Sequence, residues 1–173
     1  MRPETLALAA RLRPLLAAPP RLTLAVAESL TCGRLQAAIG SSPGASEFFL
    51  GGITAYAISE KVRHLEVDGD EAERCEAVSA SIARQMAAGA CRLFGSDLAV
   101  STTGFAEPRP ERGFASPAAF FAIARRHGAR AEIVHEGFIE RPGAGRIEMQ
   151  DEVVCVALTA LEKIAQTIRD RSV

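Results

Sequence analysis

Tryptophan is absent from these 173 residues, tyrosine occurs once, and aromatics make up only 5% of the chain. Nucleic-acid surfaces that stack bases need aromatic platforms, and those that follow phosphates need a basic patch or stripe. Neither is present: 20 Lys and Arg are intermixed with 21 Asp and Glu, for a net charge of −1. No run reaches the roughly 18 consecutive apolar residues of a membrane span. The four cysteines, Cys32, Cys75, Cys91 and Cys155, are scattered without a C-x-x-C pair, and His64, His127 and His135 are isolated. Zinc spacing and a secreted disulfide framework are therefore both unsupported. Arg2, Glu4, Arg11 and Arg13 interrupt the apolar residues of the N-terminus, which reads as an amphipathic helix rather than a signal peptide. The expectation is a reduced, cytoplasmic protein that binds neither nucleic acid nor membrane.

Apolar residues make up 48% of the chain, enough for a real core, and the length suits one domain. Residues 4 to 17 have helical spacing, and Pro19-Pro20 stops them. Leu22 to Ala27 reads as a buried strand. It runs into the turn Ala27-Glu28-Ser29-Leu30-Thr31-Cys32-Gly33, after which Leu35, Ala38 and Ile39 mark a helix ending near Gly40. Phe48 to Tyr56 reads as a second strand, whose Gly51-Gly52 pair signals a bulge or a close backbone approach. A short helix from Ser59 to Leu65 follows, with Ser59 as its cap. The acidic segment Asp68 to Glu76 reads as solvated. Ser79 caps a long helix that Gly95 ends. Leu98 to Thr103 is a third strand, ending at Gly104, and a charged, proline-rich loop covers Glu107 to Pro117. Ala118 to Arg125 and Ala131 to Ile139 form a hairpin, and a last helix spans Arg146 to Ile168. Alternating helices and strands with a terminal hairpin predict a layered α/β fold in one domain with a mixed sheet, residues 1–20 forming an N-terminal helix packed on it.

Three strand ends carry polar residues: Ser29 and Thr31, then Tyr56 with Lys61, then Thr103. Ligands of open α/β sheets bind outside the carboxyl ends of strands. If these ends are neighbours, their hydroxyls converge with one ammonium. Ser with Lys is a nucleophile–base pairing wherever burial lowers the lysine pKa, and a tyrosine can relay the proton. The plainer alternatives are that Ser29 or Thr31 caps a helix, that Lys61 is a surface charge, and that Tyr56 is a core ring.

Four stretches resemble one known family, the C-terminal domain of the competence/damage-inducible protein family CinA, also found as a stand-alone nicotinamide-nucleotide amidohydrolase. They are Ala27 to Gly33 (family pattern A-E-S-C-T-G-G); Ser42 to Tyr56 followed by Lys61-Val62-Arg63 and Leu65; Val78-Ser79 through Asp97 to Thr103-Gly104-Phe105-Ala106; and the final helix with Arg146 ahead of it. The resemblance implies a three-layer α/β/α domain that commonly dimerises. It implies hydrolysis of the amide of nicotinamide mononucleotide to nicotinic acid mononucleotide and ammonia, with no metal or cofactor. Ser29 would be the nucleophile, Lys61 its base and Tyr56 an assistant. Glu28, Thr31, Gly33, Thr103, Gly104 and Arg146 would lie at the substrate, and backbone N–H groups of the turn would hold the oxyanion or the phosphate. Longer family members carry an additional N-terminal domain resembling a molybdopterin-binding fold, which is not expected in residues 1–173.

The chain departs from the family at ligand-facing positions. Leu30 and Cys32 replace the usual Cys and Gly. Glu107-Pro108-Arg109-Pro110-Glu111-Arg112-Gly113 replaces a glycine-rich loop, so N–H donors are lost and Glu107 would repel a phosphate, with Arg109 or Arg112 left to supply charge. Gln150 stands where the family has a second arginine. Three functions fit these residues: an amidohydrolase with an altered phosphate grip, a serine hydrolase or amidase for a different, less anionic substrate, or a catalytically silent relative that binds a small ligand or a protein partner.

Overall fold

A computed structural model describes residues 2–171. Eleven principal elements follow in order: α1 (Pro3–Leu16), β1 (Leu24–Glu28), α2 (Arg34–Gly40), β2 (Phe49–Thr54), α3 (Ile58–Leu65), α4 (Gly69–Arg74), α5 (Ala80–Phe94), β3 (Leu98–Phe105), β4 (Ala118–His127), β5 (Arg130–Glu140) and α6 (Arg146–Asp170). The five strands make one sheet in the order β2-β1-β3-β4-β5. β1 runs parallel to both neighbours, and the β3–β4 and β4–β5 pairs are antiparallel. The sheet is therefore mixed, with helices on both faces.

Side-chain alternation along the strands divides the core in two. Leu24, Val26, Leu98 and Val100 point to one face and pack with Leu12, Leu16, Leu35, Ile39, Val153 and Leu161 of α1, α2 and α6. Ala27, Ala99, Ala122 and Ala124 point to the other and meet Leu65, Ile82, Met86 and Ala90 of α3 and α5. The second face is built from small residues, which lets α5 lie close to the strands.

The glycine pair of β2 serves both roles expected of it. The β1–β2 register shifts between Leu24 and Ala25, and a Cβ on Gly52 would come within 2.4 Å of Val26 Cγ2. β1 and β2 are each shorter than the sequence reading, β2 ending at Thr54 rather than Tyr56, and other features differ from it too. Ser59 is not a cap: α3 starts at Ile58 behind Ala57, without a side-chain cap bond. The acidic segment is not simply solvated. Asp68 accepts a 2.8 Å bond from Glu71 N and starts α4, which buries Ala72. Gly104 lies inside β3, opposite Ala119, not beyond its end. The hairpin strands extend to His127 and from Arg130, because the two-residue turn Gly128-Ala129 carries the pairing to its limit.

Candidate active site

β1 lies between β2 and β3, so the three polar strand ends are adjacent in the sheet. Ser29 leaves β1 with its N–H still bonded to Thr102 O of β3 at 2.9 Å. Its side chain is 7% exposed and meets Lys61 Nζ at 3.0 Å. Lys61 projects from α3 and bonds Tyr56 O at 2.7 Å as well. It is 2% exposed. Among the described residues no carboxylate pairs with it, and burial alone pushes its pKa down from 10.5 to about 8. An ammonium pays full desolvation in such a place, which favours the neutral amine. A neutral Lys61 can keep one N–H on Tyr56 O and turn its lone pair to the Ser29 hydroxyl. The surface-charge alternative for Lys61 is thereby ruled out.

Capping of α2 belongs to neither Ser29 nor Thr31. Thr31 Oγ1 is buried against Thr102 Oγ1 at 2.7 Å. The helix entrance is served by Glu28, whose buried carboxylate accepts from Gly33 N (3.1 Å), Leu35 N (3.0 Å) and Gln36 N (2.9 Å). A carboxylate on helix N-terminal N–H groups is a favourable arrangement. It also fills the place where an external anion would bind. The φ of +91° at Gly33 is what favours glycine there, and its N–H is taken by Glu28. Of the turn's amides, those of Leu30 and Thr31 donate no intrachain hydrogen bond among the described residues. These two are the donors left beside Ser29.

Tyr56 and Arg146 sit a step further out. Tyr56 is 59% exposed, which excludes the core-ring alternative. Its carbonyl, rather than its phenol, reaches Lys61, and the phenol lies beside Arg146. Both border a small cleft of about 80 Å³ with Gly104, Phe105, Glu107 and Arg109. Arg146 opens α6 and grips Glu107 Oε1 through Nη2 at 2.9 Å and Nε at 3.2 Å. These bonds to Glu107 raise its already high pKa further. Thr103 joins neither group: its buried hydroxyl donates to Ala77 O at 2.6 Å. Gly104 borders the cleft, yet a Cβ there would meet Ala118 O at 2.4 Å, so the β3–β4 pairing is what demands glycine.

Three further residues of the site carried only weak sequence signals. Gln150 is not merely a lost charge. Its Nε2 donates to Leu30 O at 2.7 Å and its Oε1 accepts from Arg34 Nε at 3.0 Å, tying α6 to the Ser29 turn. Arg34 also bonds Asp151 Oδ1 at 2.9 Å. The proximity of Arg34 to the turn motif was a signal for it; nothing local marked Asp151. Arg109 lies over the Phe105 ring, 5.6 Å from its centroid, and pairs with Glu111, while Arg112 pairs with Glu76. All four cysteines are free, and Cys32 is exposed with a φ of +50°.

The fold and its strand-end Ser–Lys pair define a three-layer α/β/α domain with a candidate nucleophile at the carboxyl edge of its parallel strands. Residues 7–165 match the family described as CinA C-terminal domain, and the chain belongs to that family. It is 47% identical over 89 residues to a CinA-like protein of Picosynechococcus sp., covering 51% of this chain and 21% of that one. A CinA-like protein of Chlorobaculum tepidum is 46% identical over 88 residues, again 51% of this chain and 21% of the relative. The chain thus spans about a fifth of the length of these relatives. Among solved structures, a competence-damaged protein (CinA) superfamily protein of Klebsiella pneumoniae superposes with a TM-score of 0.83 at 26% identity, covering 94% of this chain and 98% of that one. A competence/damage inducible protein of Agrobacterium tumefaciens gives a TM-score of 0.83 at 26% identity, with coverage of 93% and 95%.

Proposed function

We propose that this chain is a serine amidohydrolase that cleaves a carboxamide, with the amide of nicotinamide mononucleotide as the substrate the family pattern implies. The observation that carries this reading is the 3.0 Å contact between Ser29 Oγ and a buried Lys61 that has no acidic partner among the described residues. Neutral Lys61 takes the Ser29 proton as Oγ attacks the amide carbon. The amide oxygen becomes an oxyanion, for which the N–H groups of Leu30 and Thr31 are the available donors. Lys61 then passes its proton to the amide nitrogen, the C–N bond breaks and ammonia leaves, with the acyl group as an ester on Ser29. A water, losing its proton to Lys61, attacks the ester; the carboxylic acid departs and the proton returns to Ser29. The Tyr56 carbonyl holds Lys61 on this line, and its phenol faces the substrate side with Arg146. The reading takes a small-molecule partner and a cytoplasmic homodimer.

The test is ammonia release from nicotinamide mononucleotide by the pure protein, beside Ser29→Ala. Release by the natural chain, reduced at least a thousandfold in Ser29→Ala, is the expected outcome. No release would reject the reading, and activity surviving in Ser29→Ala would reject the nucleophile.

A further inference from the structure

Apart from Lys61, the positive groups near the substrate side of this site are, among the described residues, each answered by one of the chain's own carboxylates. Glu28 occupies the N-terminal N–H groups of α2, and Glu148 accepts from Gly145 N at 2.9 Å at the entrance of α6. Arg34 is held by Asp151 and Arg109 by Glu111. Arg146, which borders the cleft directly, is held by Glu107. Lys61 is the exception, and it lies at the nucleophile.

These internal partners differ in how readily a ligand could displace them. Glu28 is buried and makes three hydrogen bonds, so it is fixed. Glu107 and Arg146 are about half exposed, at 63% and 46%. Solvent and salt weaken such a pair, so a competing anion can break it. Glu107 is nevertheless tethered within reach of Arg146, at an effective concentration on the order of millimolar. Once displaced, its charge stays in a cleft of about 80 Å³ and repels the newcomer.

We propose that Glu107 is a specificity-determining residue: it competes with a substrate's anionic group for Arg146 and shifts the site toward carboxamides that are uncharged or cationic. This rests on the amidohydrolase reading for the identity of the carboxamide, though not for the competition at Arg146. Nicotinamide mononucleotide and its dephosphorylated nucleoside, nicotinamide riboside, differ by the phosphate alone and make the matched pair of probes. The ratio of their kcat/KM values, nucleotide over nucleoside, rises about tenfold in Glu107→Gln, mainly through the KM of the nucleotide. In Glu107→Gln/Arg146→Gln that gain disappears, because the seat that Glu107 vacated is gone. The same pair is titrated calorimetrically in a Ser29→Ala background, where the ratio of dissociation constants should move by the same factor. An unchanged ratio in both measurements overturns the proposal, as does a gain that persists without Arg146. Should the natural chain hydrolyse neither compound, the binding ratio still decides the role of Glu107, and only the amidohydrolase reading fails. Hydrolysis with a Glu107-independent ratio has the opposite meaning. Should neither compound bind in either background, Glu107 has no such competitor to exclude and the proposal falls.

Discussion

The Ser29–Lys61 pair and the neighbouring cleft treat their cations in opposite ways. In the pair, Lys61 is buried, touches a hydroxyl and a carbonyl, and meets no carboxylate among the described residues. At the cleft, Arg146 and Arg109 are exposed, and each has a glutamate beside it. An unpaired buried ammonium costs stability, and the cost is what makes its amine available as a base near neutral pH. A paired exposed guanidinium costs little and contributes little. On the amidohydrolase reading, the contrast separates chemistry from recognition: the proposed nucleophile can be kept ready while the grip on a substrate is altered.

The most severe way to break the contrast is Lys61→Met, which keeps the length and removes the base. Amide hydrolysis should fall by about a hundredfold to ten-thousandfold, the usual contribution of a positioned general base. The folded protein should become more stable at pH 7. A pKa lowered from 10.5 to about 8 means that holding the buried ammonium below pH 8 costs about 3 kcal/mol, at about 1.4 kcal/mol per unit. The folded state binds fewer protons than the unfolded state between pH 8 and 10.5, so the natural chain gains stability as pH rises through that window. Lys61→Met should lose that dependence. The activity of the natural chain should follow the same group: kcat/KM rises tenfold per pH unit below about 8 and levels above it. A flat profile from pH 6 to 9, or a Lys61→Met protein that melts lower at pH 7, would remove the case for a neutral buried lysine.

Glu28→Gln tests the fixed carboxylate against the displaceable one. The glutamine keeps one oxygen but turns an NH₂ toward backbone donors, so at least one of three bonds is lost. Bonds to a charged acceptor are worth about 1.5–3 kcal/mol each, and a buried orphan donor adds to the loss. A drop of about 2–4 kcal/mol is expected, read as a lower denaturant midpoint at constant m. Glu107→Gln should change stability by less than about 1 kcal/mol, as for other exposed pairs. Equal losses in the two variants would erase the distinction between a structural and a competing carboxylate.

Much of this was legible in the sequence where local pattern and tertiary role coincide. The strand–turn–helix around Ser29, the helix-borne Lys61 and the mixed sheet follow from periodicity and turn chemistry. Adjacency of the three strand ends did not, because strand order is a tertiary choice; the family pattern implied it and the β2-β1-β3 order places them together. Nor was the direction of Thr103 legible: alternation along β3 turns its hydroxyl into the α5 face, toward Ala77 O. Glu28 stood at the substrate by the family pattern as well, and only its three N–H partners, set by the fold, show that it caps α2. The pairing of Glu107 with Arg146 joins residues 39 positions apart, beyond the reach of any local signal.

Cys32→Gly has the smallest expected effect and probes the turn that carries Ser29. Cys32 sits at φ +50°, bonds Ser29 O through its N–H at 3.1 Å and exposes its side chain. A side chain in the left-handed region costs about 1–2 kcal/mol. Glycine removes that strain, but its freer unfolded chain returns about 0.5–1 kcal/mol. The balance is a gain of about 0.5–1 kcal/mol, or about 1–4 °C in Tm for a domain of this size. The bond to Ser29 O is made by the backbone and survives, so kcat should stay within about twofold. A lower Tm would mean that the Cys32 side chain makes a stabilising contact on the surface. A large change in kcat with Tm unchanged would instead make residue 32 part of how the turn meets its substrate, joining the Ser29–Lys61 pair to the cleft of Arg146 and Glu107.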